Sequence, residues 1–364
     1  MSHSATPHRS SSHPIRPDPC HDRPNSDADG RFRGDTPGVP DLRPTTDGVV
    51  TIRPPLPGDT ARLVAGRDEV FHRFMGDGDP EPNPVGCILV HGEVVGWVDH
   101  DDERPWLEPG EVNVGYHVFA EHRGAGHATR AVHLLVHHLA VDTDVRVATF
   151  LIDPANERSQ SLAGRVGASR VDDLDGNPYF KLDVPPTSYT DGVVTVRRLR
   201  TDDVDADLAA KDDEQIRWLW LPGQREAWEA MSSDRQRAHA LAGLAERHES
   251  FGTGPTWAFA VDGPGADYVA YVDCDLANPH VPAGEANVSY SSHPDDRGKG
   301  YVSRAVTLVV AFLRDHTGAH EAHLVVDAEN DASLRVAASV GAVETEQWTD
   351  EHGHTMVRHV VAVR

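Results

Sequence analysis

From about residue 46 onward, short runs rich in valine, isoleucine and aromatic residues alternate with longer stretches whose apolar positions return at helical spacing. The first half predicts a strand over Val49–Arg53, a helix around Ala61–Phe74, a strand Cys87–Val90, a hairpin turn at His91-Gly92-Glu93 and a strand Val94–Asp99. A strand Val112–Phe119 then ends in a glycine-rich turn, Arg123 to Gly126. This turn opens a helix in which Ala131, Leu134, Leu135 and Leu139 fall on one face. A strand Val145–Ile152, a helix Glu157–Val166 and a strand Tyr179–Leu182 close the unit. The second half repeats the order, with strands at Val193–Arg197, Trp257–Val261, Tyr268–Cys274, Ala286–Ser291 and Ala322–Asp327. Antiparallel hairpins come first and a βαβ unit later, so the predicted class is α+β.

The order repeats because the sequence does. Glu111-Val-Asn-Val-Gly-Tyr and Arg123-Gly-Ala-Gly-His-Ala return as Glu285-Ala-Asn-Val-Ser-Tyr and Arg297-Gly-Lys-Gly-Tyr-Val, 297 − 123 = 174 residues later. The same offset carries Asn156-Glu-Arg-Ser159 onto Asn330-Asp-Ala-Ser333. The openings, Asp47-Gly-Val-Val-Thr-Ile-Arg53 and Asp191-Gly-Val-Val-Thr-Val-Arg197, differ by only 191 − 47 = 144 residues. The second copy has therefore gained about 30 residues, placed at Trp218–Phe251, an Ala/Leu/Glu/Arg helical stretch. Repeats this long are whole domains. Expected boundaries are a tail over 1–45, a first domain over 46–185 and a second over 186–364, divided near Pro185-Pro186.

Composition narrows the partners. The tail is rich in Ser, His, Pro and Asp without apolar periodicity, and is expected to be disordered; its histidines have no metal-site spacing. A net charge of −24 argues against nucleic acid and anionic lipid and favours cationic partners. Cys20, Cys87 and Cys274 form no CxxC or Cys/His cluster, so neither a disulfide framework nor a metal site is expected. No apolar run is long enough to span a bilayer or serve as a signal-peptide core, and a cytoplasmic location is expected.

A strand, a glycine turn and a helix N-terminus form a phosphate cradle: the backbone approaches closely, the first N–H groups point at the anion and the helix dipole favours negative charge. The cradle occurs in both copies, each followed by a strand ending in Asp-x-x-Asn. On these residues the chain resembles the GNAT superfamily of acyl-CoA-dependent N-acetyltransferases, with Arg-x-x-Gly-x-Ala at Arg123, Gly126 and Ala128. The second copy keeps Arg297 and Gly300 but has Val302 in the last place, where a larger side chain would crowd a pyrophosphate. The longer wording is similar to the ribosomal-protein N-terminal acetyltransferase branch.

The resemblance implies two tandem GNAT-like domains, each a mixed, mostly antiparallel sheet flanked by helices. It implies acetyl-CoA as co-substrate, held by Arg123, Gly124, Ala125, Gly126, His127 and Ala128, and by Arg297, Gly298, Lys299, Gly300, Tyr301 and Val302. Pantetheine would lie along Tyr116, His117 and Val118, or Tyr290 to Ser292, beside Asn156 or Asn330. Ser159 and Ser333 would sit near the thioester or cap the next helix. The family's usual strand acid is replaced by Asn113 and Asn287, which leaves Glu111 and Glu285 as candidate bases or as solvated strand-edge carboxylates. The family's thiolate-protonating tyrosine has no counterpart in either helix. Asp99 and Asp101, repeated at Asp273 and Asp275, would hold a cationic amine or end a solvated strand. The expected activity is direct acetyl transfer to a primary amine, either a small polycation or a peptide N-terminus, with no metal. The alternative is a protein in which one or both copies only bind CoA or serve as scaffold.

Overall fold

A computed structural model describes residues 41–221 and 223–364, so the predicted tail lies almost wholly outside the described residues. The chain forms two eight-stranded mixed sheets, one per copy. In the first, β1 (Thr45–Thr46), β2 (Thr51–Arg53), β3 (Gly86–Val90), β4 (Glu93–Asp101) and β5 (Glu111–Val118) lie side by side, followed by β6 (Val147–Leu151). The hairpin β7 (Ser169–Leu174) and β8 (Asn177–Asp183) completes it through β8. Only β5 and β6 pair in parallel. Their crossover is α3 (His127–Asp142), and α4 (Glu157–Arg165) follows β6. The turn between β3 and β4 needs positive φ at His91 and Gly92, the twist-matched two-residue hairpin geometry.

The predicted helix over 61–74 is two helices, α1 (Asp59–Ala65) and α2 (Glu69–Met75). They break at Gly66, where a Cβ would sit 2.2 Å from the Phe119 ring, and α2 restarts on Asp68, whose side chain caps Phe71 N–H at 3.0 Å. Leu42 is buried in the first core and β1 starts at Thr45, so the first domain begins earlier than the expected residue 46.

The second copy runs β9 (Tyr189–Thr190), β10 (Thr195–Arg198), α5 (Val204–Ala209) and α6 (Asp213–Leu219). Its extra residues form α7 (Gln224–Glu229) and α8 (Ser233–Ser250), the helical insertion expected from the sequence. Then come β11 (Thr256–Gly263), β12 (Ala266–Asp275), β13 (Ala286–Ser292), α9 (Tyr301–His316), β14 (Glu321–Asp327), α10 (Asp331–Ser339) and the hairpin β15 (Val343–Thr349), β16 (Thr355–Ala362). The strand order matches that of the first sheet.

Residues 131 to 139 of α3 are buried without a break, as for a helix covered on every side. One face packs on its own sheet through Val112, Val114, Ala148 and Phe150; the other meets the second copy. There His137 Nδ1 lies 2.8 Å from His316 Nδ1 on α9, and His316 Nε2 lies 2.9 Å from the Pro186 carbonyl. Because a carbonyl only accepts, His316 carries its proton on Nε2 and receives one from His137. Arg364 binds His133 Nε2 at 2.8 Å, Arg43 pairs with Asp142 and reaches the Glu249 carbonyl, and Thr46 N–H donates to Thr253.

Candidate active site

β5 and β6 pair only over Glu111–Asn113 and Val147–Thr149, and beyond Asn113 the two strands part. The parting leaves the backbone of 114–118 open on that side. On its other edge β5 stays paired with β4, Asp99 opposite Gly115 and Asp101 opposite Asn113. Period-two alternation therefore puts Trp97, Asp99, Asp101, Asn113, Gly115 and His117 on one face. Gly115 keeps that face open, since a Cβ there would lie 3.6 Å from Trp97 and 4.0 Å from Asp99 Cβ.

The turn after β5 has Gly124 at φ +86° and Gly126 at φ +79°, and Gly126 immediately precedes α3. A Cβ at either would meet nothing within 4 Å, so backbone conformation rather than space selects glycine. The first turn of α3 has no acid, and Nδ1 of His127 is buried there without a hydrogen-bond partner. Both features suit an anion. Gly298 (φ +74°), Gly300 (φ +77°) and an acid-free first turn of α9 repeat the geometry.

A single cavity of about 2260 Å³ joins these parts, and every residue lining it belongs to copy one. It runs from Gly124, Gly126 and His127 along Asn113–Val118 to Asn156 and Ser159, and on to Trp97, Asp99 and Asp101 beneath the α2–β3 loop. Within it Asp99 accepts from Val85 N–H at 3.1 Å, and Asp101 pairs with Arg104 at 2.6 Å. The Tyr116 hydroxyl is buried without a hydrogen-bond partner at normal distance and faces Ser159; burial pushes its pKa up to about 12. His117 is bound to the Gly66 carbonyl at 3.1 Å, and burial lowers its pKa.

Several sequence expectations are corrected here. Glu111 does not line the cavity: it sits at the closed end of the β5–β6 pair, buried, with Oε1 2.5 Å from Lys181 Nζ on β8. Glu285 is likewise engaged, accepting the N–H groups of His320 (2.7 Å) and Glu321 (2.6 Å). Arg123 lines the cavity with its guanidinium already engaged. Its guanidinium makes a two-point pair with Asp68 (2.7 and 2.9 Å) and donates to the Val118 carbonyl, clamping the turn to α2. That arginine pulls the Asp68 carboxyl well below its usual range. Arg297 makes the same pair with Asp212, at 2.6 Å twice. The sequence could have found both acids, because 212 − 68 = 144 is the offset of the two openings. Lys299 pairs with Asp296. Val302 is half-buried and packs on its own domain's core. The helix caps are Asn156 and Asn330, whose side chains accept from Ser159 N–H (3.2 Å) and Ser333 N–H (3.0 Å); the serines are not the caps.

In copy two the sheet face equivalent to that of Trp97, Asp99 and Asp101 is covered. Ala240 and Leu244 of α8 pack with Ala258, Ala260 and Tyr268, and Arg247 lies over the Tyr271 ring. Tyr271 donates to Asp273 at 2.8 Å, burial pushes Asp273 up to about 6, and Asp275 accepts from Thr256. Tyr290 donates to the Ser333 carbonyl at 3.3 Å, and Gln215 of α6 binds Ser291 Oγ on the splayed strand at 2.9 Å.

The family model of the acetyltransferase (GNAT) domain matches residues 66–169 and again 194–343. The chain belongs to the GNAT acetyltransferase family. Solved structures similar to one GNAT copy include Mycobacterium smegmatis RimJ in complex with CoA-disulfide, 17% identical over 47% of this chain and 82% of that one, TM-score 0.38. Ribosomal-protein-S5-alanine acetyltransferase from Vibrio fischeri is 18% identical over 48% and 96%, TM-score 0.36. A chimera of Vibrio cholerae spermidine N-acetyltransferase SpeG and hSSAT is 15% identical over 47% and 96%, TM-score 0.37. A comparison with curated proteins returns no match. Among the described residues no helix is long and apolar enough to cross a membrane.

Proposed function

We propose that copy one transfers an acetyl group from acetyl-CoA to a primary amine, and that copy two is its scaffold. One observation carries this reading: the glycine turn, the splay and the acidic acceptor face share one cavity in copy one, whereas α8 packs on the equivalent face of copy two. Acetyl-CoA supplies the thioester as co-substrate. Its pyrophosphate is assigned to the N–H groups of residues 126–128 and to His127, its pantetheine arm to Tyr116–Val118 and Asn156. A backbone N–H of the splayed strand meets the developing oxyanion.

Asp99 and Asp101 hold the acceptor as a cation, and the open face at Gly115 admits it beside the thioester. The acceptor class is a small polycationic amine or a peptide N-terminus, in keeping with the net charge of −24. Attack forms the C–N bond and the C–S bond breaks; the thiolate takes a proton from Tyr116, and the proton shed by the acylated nitrogen restores the phenol, which stays protonated at neutral pH. This tyrosine lies on the strand, which is why a search of the helices for a proton donor misses it.

The test is free-thiol release from acetyl-CoA with a panel of polyamines, aminoglycosides and peptide N-termini. Turnover with a cationic amine, reduced at least tenfold by Asp99→Asn, supports the reading; no release with any amine overturns it.

A further inference from the structure

Three buried polar groups have no hydrogen-bond partner at normal distance and lie together where β5 and β6 part. They are Asn113 Oδ1, Thr149 Oγ1 and the Tyr179 hydroxyl. Asn113 and Thr149 are register partners across the last rung of the parallel pair, and the Tyr179 hydroxyl faces that of Thr149. Thr149 is fully buried and Tyr179 nearly so. On the same face, Lys181 stands opposite Thr149, its Nζ 5.6 Å from the centre of the Tyr179 ring and 2.5 Å from Glu111. Lys181 reaches solvent, with 30% of its side chain exposed. One end of this row, Asn113, lines the substrate cavity; the other end is wet.

A buried polar group left unsatisfied costs about 1–3 kcal/mol, and one ordered water with two to four polar partners would complete the bonding of all three. In copy two His323 takes the place of Thr149 and Arg358 that of Tyr179, and Asn287 donates to Ser289 at 3.1 Å, so buried polar atoms there also lack partners but no row of hydroxyls forms. The feature therefore belongs to the copy whose cavity is open.

We infer that Asn113, Thr149 and Tyr179 hold a buried water that relays the acceptor's proton out of the cavity toward Glu111, Lys181 and bulk solvent. The inference rests on the transferase reading and answers a question it raises. An ammonium with an ordinary pKa near 10 cannot attack until it loses a proton, and the usual strand acid is an asparagine here. Asn113 is a positioning residue, fixing the water by accepting from it. The hydroxyls of Thr149 and Tyr179 each accept one proton and donate another. The acceptor N–H bond breaks toward the water, the water passes a proton to the next hydroxyl, and the row ends with its original protons plus one released to solvent.

Two variants of the full chain test this, Thr149→Val and Tyr179→Phe, assayed with whichever amine the wild type acetylates. Each is expected to lower kcat at pH 7 about tenfold or more, with KM for acetyl-CoA unchanged. The deficit should shrink toward pH 9.5, where the amine sheds its proton in bulk. The double variant should be no slower than the worse single one, since both break one relay. Independently of activity, Thr149→Val should lower the melting temperature, because it removes a bond to the water. A rise in melting temperature would show the hydroxyls unsolvated and overturn the water site. Wild-type rates from pH 6 to 9, or a deficit that persists at pH 9.5, would overturn the relay while leaving the transferase reading standing. A wild type that acetylates no amine removes that reading, and the relay with it.

Discussion

His316→Gln tests whether the buried imidazoles between the two copies make the protein acid-labile. His316 is fully buried, stacked on Phe312 at 4.2 Å, and burial lowers its pKa to about 4 from an ordinary 6.5. His137 is pushed well below 6.5 by burial and by His316, and His133 to about 3 by burial and by Arg364. A histidine depressed in the folded state keeps its stabilising effect above pH 6.5 and loses it as pH falls, because the unfolded chain takes up the proton first. For His316 alone, the loss between pH 7.5 and 4.5 is roughly 2.5 kcal/mol at 1.36 kcal/mol per unit. Asp273, raised to about 6, works in the opposite sense over part of this range, but it is common to wild type and variant and cancels in the comparison. Glutamine keeps an N–H for the Pro186 carbonyl and does not titrate. Urea unfolding at four pH values should therefore give a variant less stable at pH 7.5, whose further loss down to pH 4.5 is smaller than the wild type's by about 2.5 kcal/mol. Parallel pH dependences for the two proteins would refute the reasoning.

Truncation after residue 40 should leave melting unchanged, whereas truncation after residue 45 should lower it by several degrees. The longer cut removes buried Leu42, the Arg43–Asp142 pair and the Thr45 bond to the Gly252 carbonyl; the leucine alone is worth about 1.5–3 kcal/mol. Arg123→Lys should weaken acetyl-CoA binding by about tenfold in a calorimetric titration while the fold survives, because one ammonium cannot span both Asp68 oxygens. Glu111→Gln should lower stability through the loss of its pair with Lys181, visible as a drop in urea midpoint; an unchanged midpoint would place Glu111 outside the structural frame.

The duplication, both glycine turns and the helical insertion were legible because each rests on a local signal: a repeated register, closely spaced glycines, or helical spacing. The strands β7 and β15 carry no such signal. Both are exposed along nearly their whole length, so no apolar alternation marks them. Glu111 misled because period two places it on the same face as Asn113, yet sequence cannot say where β5 and β6 part, and the parting comes two residues later. Thr149 and Tyr179 were invisible for a related reason: each matters through a partner on a distant element. The covering of this sheet face in copy two by α8 likewise depends on how the insertion folds back, which its helical pattern leaves open.

Calorimetric titration of acetyl-CoA into the full chain, the Gly126→Val variant and the Gly300→Val variant decides whether copy one alone holds the cofactor. Valine at φ +79° or +77° strains either turn comparably, so the two variants differ in which copy they disable. One site per chain is expected in the wild type, lost in Gly126→Val and kept in Gly300→Val. Two sites, no heat at about 1 mM ligand, or loss of binding in Gly300→Val alone would contradict it.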